Sequence, residues 1–445
     1  MTRHGMRHAA GVRHGGALAD PTDIVLYAAL ALLPAGGTVF GLNMMYWSPI
    51  SPVLFALYAV LNARHLPRVF GRYGALLAFP LALAAVSAYG WATVGFHPNT
   101  ALRTLAALAT GISCLIALDV AFRVKRLGWG AAVTVVAVAY WVSFGVGVLQ
   151  FLAVHGLAPA VTWISRLTLE RNYVPNRVQF LFAEPSYIGM HLFGVLMPLH
   201  WLTRRKDMAV LTLVYAAGAA AMGVGVRILI DTFIALALWV VVTVDFRRVR
   251  NVVLGVVGVA VVGAGGSAVM LTNARVQSML SHGFVSGDFS ALARLFRALA
   301  PIEAWIADIP HLLFGFGAGN LKDAIARGYQ SAYDLLQARG NNPGGNGEIR
   351  LLATPPGDHY IFSMSAYIDF VTEFGLVMFA ALIALIIWHV TRCHAWNKTT
   401  ICWMILLAYL YVQFEGYAFY ALFLFLWAVG CAEAWSGRRS GRDEL

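Results

Sequence analysis

Phe182-Ala-Glu-Pro-Ser-Tyr-Ile-Gly189 sets an ionisable side chain at the mouth of an apolar helix. Proline suits the first helical position, where its missing N–H would have no partner anyway. Glu184 and Ser186 are therefore expected near the positive end of the helix that follows. That helix runs on through Met190, Leu192, Phe193, Val195 and Leu196 into lipid or a protein interior. Membrane chains seldom keep an ionisable group at such a boundary without a use for it.

The surrounding composition says which solvent this helix meets. Of 445 residues, 60% are hydrophobic and 12% charged, with a mean hydropathy of +0.70. A soluble domain is about 45–50% apolar. A spanning helix needs roughly 20 mainly apolar residues. Candidate stretches lie near 23–42, 47–63, 73–94, 100–122, 130–153, 186–202, 208–226, 228–244, 251–272, 366–390, 400–414 and 417–435. The expected fold is an all-α integral membrane protein with about twelve transmembrane helices. Cys114, Cys393, Cys402 and Cys431 fall in or beside these stretches at no metal-ligand spacing. They read as small buried hydrophobes. No acidic cluster has metal-ligand spacing either, so neither metal nor cofactor is expected.

The formal charge of +11 is a matter of topology. With the N-terminus in the cytoplasm, every inside turn carries a basic cluster, as the positive-inside rule requires. These turns hold Arg64/Arg68/Arg72, Arg123/Lys125/Arg126, Arg204/Arg205/Lys206, Arg247/Arg248/Arg250, Arg392/Lys398 and Arg438/Arg439/Arg442. With Arg3, Arg7 and Arg13 of the N-terminal tail they account for 20 of the 32 Lys and Arg residues. Both termini are expected inside, and no nucleic-acid partner is needed. The expected organisation is a basic cytoplasmic tail (1–22), nine spans (23–272), a large outer loop (273–365), three spans (366–435) and a short cytoplasmic tail (436–445). The outer loop is too long for a connector, and its seven basic residues balance seven acidic ones. Within it, residues 289–309 have helical spacing, with Leu292, Leu295, Leu299, Ile302 and Ile306 on one side.

Several residues on the outer side could carry chemistry. Arg227 follows Gly223-Val-Gly225. It either pairs with Asp231, one turn on, or serves as a fixed cation for an anionic substrate; both can hold together. Arg294 and Arg297 either face solvent or reach the membrane mouth, where guanidinium forks suit phosphate oxygens. His191 is two turns deeper than Glu184, as a partner of that acid or as a satisfied core group. His359 precedes the tenth span as a candidate base, or as a loop histidine without a role. Glu373-Phe-Gly375 marks close packing or a site wall. Gly315-Phe-Gly-Ala-Gly-Asn320 lacks a strand–turn–helix setting. It therefore reads as a tight turn back to the membrane, not a dinucleotide site.

These pieces occur in a telling order: Glu184-Pro-Ser186 opening a span, Arg227 opening a later one, and Ser290-Ala-Leu-Ala-Arg294 in the outer loop. Leu313-Phe-Gly-Phe-Gly317 follows, and Ala366-Tyr-Ile-Asp-Phe-Val-Thr-Glu-Phe-Gly375 enters a late span. Together they resemble the O-antigen polymerase and ligase superfamily, specifically its O-antigen and exopolysaccharide (Wzy-type) polymerases. The resemblance implies a GT-C-like membrane glycosyltransferase in a bacterial inner membrane, its active site facing the periplasm. Such enzymes use no metal and invert at the anomeric carbon. They move a growing glycan from undecaprenyl pyrophosphate onto a second lipid-linked repeat unit, so donor and acceptor are both undecaprenyl-pyrophosphate-linked glycans. A flippase and a chain-length regulator are the implied protein partners, beside the lipid bilayer. By the same resemblance Arg227 and Arg294 bind pyrophosphate and Glu184 shapes or deprotonates the acceptor, with His359 the other candidate base. Ser186, Tyr187, His191, Arg297, Tyr367 and Glu373 are expected to line the substrate. The ligase branch has a histidine where this chain has Met364, which favours the polymerase over a ligase acting on lipid A core. A transporter of lipid-linked oligosaccharide is the alternative from another class; twelve spans fit it, but no internal repeat is visible.

Overall fold

The computed structural model of the chain describes residues 20–36, 50–157, 163, 178–245, 247–272, 277–278, 281, 283, 288–353, 361–414 and 416–432. Among the described residues all regular structure is helical. In order the helices are α1 (Pro21–Ala31), α2 (Ile50–Leu61), α3 (Leu66–Thr93), α4 (Pro98–Asp119) and α5 (Trp129–Val154). Next come α6 (Ile188–His191), a π turn (Leu192–Leu196), α7 (Met197–Thr203), α8 (Lys206–Ala221), α9 (Val226–Thr243) and α10 (Val249–Thr272). The remainder are α11 (Phe289–Ala307), α12 (Ile309–Phe314), α13 (Leu321–Ala338), α14 (Gly347–Ala353), α15 (Ala366–Arg392), α16 (Lys398–Leu410) and α17 (Tyr420–Gly430).

Among the described residues four helical stretches are long and apolar enough to cross a membrane: Ala63–Thr93, Pro98–Val124, Trp129–Val154 and Ala366–Arg392. The chain is thus a helical membrane protein by length and composition. The apolar runs near 23–42, 47–63 and 417–435 appear as shorter helices, and residues 37–49, between the first two, lie outside the described ones.

The helix behind Glu184 is enclosed by protein. Ile188, Met190, Leu192, Phe193, Val195 and Leu196 are at most 1% exposed. Helices α8, α9, α16 and α17 surround it. The π turn interrupts it after one α-helical turn, and such bulges shift the register of the residues on either side.

At the end of the bundle that carries the basic clusters, ion pairs are tight. Arg123 grips the fully buried Asp119 through Nε and Nη2, each at 2.7 Å. Lys125 Nζ reaches Asp20 at 2.8 Å and Asp23 at 2.5 Å, tying the start of α1 to the end of α4. The Lys125 ammonium holds the Asp20 carboxyl well below the usual carboxylate range.

Helices α11, α13 and α14 form a second core. The buried side of α11 is Leu292, Ala293, Phe296, Ala300 and Ala304. Of the leucines and isoleucines that share one side of this helix, Leu292 is buried here, Leu295 and Leu299 only flank the core, and Ile306 is 65% exposed. The reason is close helix approach, which favours small residues. A Cβ on Gly328 of α13 would fall 1.8 Å from the Ala300 carbonyl oxygen, so alanines and glycine, not leucines, make the contact.

The glycine-rich turn joins this second core to the long helices. Inside α15, Gly375 (φ 82°, ψ 165°) leaves helical geometry. The break frees the carbonyls of Thr372 and Glu373, which accept from the N–H groups of Phe316 (2.7 Å) and Gly317 (2.9 Å). Gly315 has nearly the same conformation (φ 82°, ψ 163°). The two glycines let the backbones touch: a Cβ on Gly315 would lie 2.3 Å from the Glu373 carbonyl oxygen, and one on Gly375 2.2 Å from that of Leu313. The expectation of a tight turn at Gly315–Asn320 thus describes what the segment does.

Candidate functional site

The chain reaches Glu184 through a turn clamped to α5. Phe180 takes a left-handed φ of 58°. Its backbone is held by the buried Gln150 side chain, whose Oε1 accepts from Gln179 N (3.1 Å) and Phe180 N (2.8 Å). Gln150 Nε2 donates to the Phe180 carbonyl at 2.9 Å. The Phe180 ring lies on Gly147, where a Cβ would meet it at 2.0 Å. Gln150 carries no signal in the sequence, because a lone glutamine in an apolar helix can serve many ends. Gln150→Ala leaves three buried backbone groups without that partner, at ~1–3 kcal/mol each if nothing replaces it. A clear fall in the detergent melting temperature is expected, with a smaller fall for Gln150→Glu, which keeps the acceptor. Equal melting of Gln150→Ala and wild type would exclude the clamp.

Glu184 is buried, 7% exposed. Its Oε1 lies 3.4 Å from Nη2 of Arg294, 110 residues away in sequence. Arg294 is placed by α11, whose N-terminus is capped by Asp288 accepting from Ser290 N at 3.0 Å. The acid and one expected arginine are therefore in contact. The Ser186 hydroxyl, two residues on, is buried with no hydrogen-bond partner among the described residues.

Arg227 sits beside the same segment. Its Nη1 donates to the Gln413 carbonyl, and its Nε is 3.6 Å from Asp231 Oδ2. Two contacts tie it to the Glu184 stretch. The Tyr187 ring packs edge-on against Phe414, centroids 4.7 Å apart, next to the Gln413 that holds Arg227. Asp231 presses on Gly189, where a Cβ would lie 1.9 Å from Asp231 Oδ2. Residues 184–189 thus bridge from one guanidinium to the other.

Other expected site residues have protein partners. His191 Nδ1 is 2.8 Å from the hydroxyls of both Tyr140 and Tyr420, with its ring on Phe182 at 4.2 Å; this is the geometry of a satisfied core histidine. Arg297 donates to the Phe362 carbonyl (3.2 Å), stacks over its ring (5.0 Å) and meets Glu348 at 3.7 Å. Tyr367 donates to the Ala408 carbonyl at 2.7 Å. Glu373 Oε1 accepts from Thr104 Oγ1 (3.0 Å) and Gly319 N (2.8 Å), and Oε2 from the Tyr417 hydroxyl (2.9 Å). It is a junction post joining α4, the glycine turn, α15 and the segment before α17. His359 lies outside the described residues. Tyr367 and Tyr417 also line an apolar cavity of about 380 Å³ between α3, α4, α15 and α16.

Chemically, the arrangement offers a carboxylate beside one guanidinium, a second guanidinium on α9, and the buried Ser186 hydroxyl two residues from the acid. Among the described residues no group of three or more His, Cys, Asp or Glu side chains is placed to hold a metal ion. No protein-family model, curated protein or solved structure matches the chain.

Proposed function

We propose that the chain is a polymerase of undecaprenyl-pyrophosphate-linked repeat units, making a cell-surface polysaccharide at the outer face of a bacterial inner membrane. In this reading the chain crosses the bilayer about twelve times with both termini inside, and residues 273–365 lie in the periplasm as its large loop. The observation that carries the reading is the Glu184–Arg294 contact. Acid and cation come from the two distant segments whose motifs prompted the resemblance, and Arg227 is on the adjoining helix.

The acceptor hydroxyl attacks the anomeric carbon of the donor glycan. A glycosidic C–O bond forms, the anomeric C–O bond to phosphate breaks, and its electron pair leaves on undecaprenyl pyrophosphate. Arg294 and Arg227 meet the charge that develops there. At an effective dielectric near 20, a cation ~4 Å from one phosphate charge contributes about 4 kcal/mol. Glu184, oriented by Arg294, takes or directs the acceptor proton, and the Ser186 hydroxyl is available to a sugar oxygen.

The test is the polysaccharide ladder of a producing strain. Arg294→Ala and Arg227→Ala are each expected to abolish long polymer, lowering yield at least ~100-fold (two or more tenfold steps of 1.4 kcal/mol), while membrane levels of the protein hold. Single repeats still joined to the core would accompany the loss. A wild-type ladder from Arg294→Ala would sink the reading; full-length but unattached polymer would mark a ligase, and repeats stranded on the cytoplasmic side a transporter.

A further inference from the structure

The arginines of this chain are held in two contrasting ways. Arg123 and Arg205 each grip an acid with two nitrogens, at 2.7 and 2.7 Å for Asp119 and 3.1 and 2.5 Å for Asp207. Bidentate pairs of this kind are the strong ones. Arg227 makes no such grip on Asp231: its Nε lies 3.6 Å from Oδ2, which accepts no hydrogen bond among the described residues.

Asp231 is itself enclosed. It is 1% exposed, and its Oδ1 accepts from the Tyr409 hydroxyl at 2.7 Å. Oδ2 has no hydrogen-bond donor among the described residues, and it occupies the space that Gly189 leaves empty. A carboxylate fixed beside a guanidinium, yet not hydrogen-bonded to it, acts on it through charge. It weakens the attraction of Arg227 for any arriving anion, while the Gln413 carbonyl, not the carboxylate, takes the hydrogen bond from Nη1. The place is buried, so salt screens the effect little.

We propose that Asp231 is a positioning residue whose charge sets how tightly Arg227 holds a pyrophosphate group, keeping it loose enough to leave. The proposal rests on the polymerase reading for the identity of the anion: such an enzyme must release lipid pyrophosphate in every cycle. Tyr409 and Gly189 keep the carboxylate in place, the first by donation and the second by making room.

The sign of one measurement separates this from a structural role. Inorganic pyrophosphate is titrated calorimetrically into the purified full-length chain in detergent at fixed low salt. Asp231→Asn is expected to bind at least ~10-fold tighter, equivalent to ~1.4 kcal/mol. A merely structural aspartate would give weaker binding when replaced, because Arg227 would lose its aim. Arg227→Ala is expected to remove the gain in the Asp231→Asn background. Unchanged or weaker binding by Asp231→Asn overturns the proposal, as does a gain that survives Arg227→Ala. Absence of binding in both wild type and Asp231→Asn overturns it as well. Should Asp231→Asn not purify as a single species, Asp231→Ser, which keeps an acceptor for Tyr409, is read in the same way. The binding result stands apart from the polysaccharide ladder, so failure of one leaves the other interpretable.

Discussion

Gly375→Ala is expected to cost the chain most of its folded yield. Gly375 has φ 82° and ψ 165°, a region open essentially to glycine alone. A side chain there costs ~1–3 kcal/mol in conformation. The new Cβ would also stand 2.2 Å from the Leu313 carbonyl oxygen, 2.5 Å from its carbon and 2.6 Å from Phe314 N. These are backbone atoms, so relief requires α12 to withdraw, and withdrawal breaks the Phe316 and Gly317 hydrogen bonds to α15. The control is Gly74→Ala in α3, where a Cβ meets nothing within 4 Å and where alanine is favoured by roughly 0.5–1 kcal/mol in a helix interior. Thermal melting of both variants in one detergent decides the matter. If Gly375→Ala melts with Gly74→Ala, the interlocked turn is not what holds the two cores together.

Glu373→Ala is the second large effect, and its companion Glu373→Gln gives it a sharper meaning. Alanine would leave the Thr104 hydroxyl, the Gly319 N–H and the Tyr417 hydroxyl without their acceptor. Each buried donor so stranded costs ~1–3 kcal/mol, for a total above ~3 kcal/mol. Glutamine keeps an acceptor oxygen for Thr104 and Gly319 and turns an amide toward Tyr417, whose hydroxyl can accept from it. Melting temperatures should therefore fall in the order wild type, Gln, Ala, with Gln close to wild type. Equal damage from both variants would mean that Glu373 matters for its charge and not as a junction post.

What could be read beforehand follows a physical division. Apolar runs longer than 20 residues are legible because the bilayer demands them, and the helices Pro98–Val124, Trp129–Val154 and Ala366–Arg392 fall on runs read from composition alone. Glycine spacing in Gly315–Gly319 was legible as a tight turn, and Glu373-Phe-Gly375 as close packing or a site wall. The reach from Glu184 to Arg294 was expected only through a resemblance of motifs; no periodicity relates residues 110 apart. Gln150 and Tyr409 escaped because their roles exist only once the backbone of Phe180 and the carboxylate of Asp231 have been brought to them. The buried alanines of α11 carried no signal of their own, because the Gly328 that selects them is met only once α13 packs against it.

The segment behind Glu184 is walled by α8, α9, α16 and α17, and two of those walls, α16 and α17, come far later in the chain than the segment itself. On a ribosome, α6 and the π turn emerge long before α16 and α17 exist. Until then the acid's helix has lipid, a chaperone or an unfilled gap along one flank. The enclosed setting of Glu184 is thus a late product of biogenesis. A nascent chain stalled short of Gly430 would already be anchored by its long helices and would still leave the Glu184 segment without its full wall.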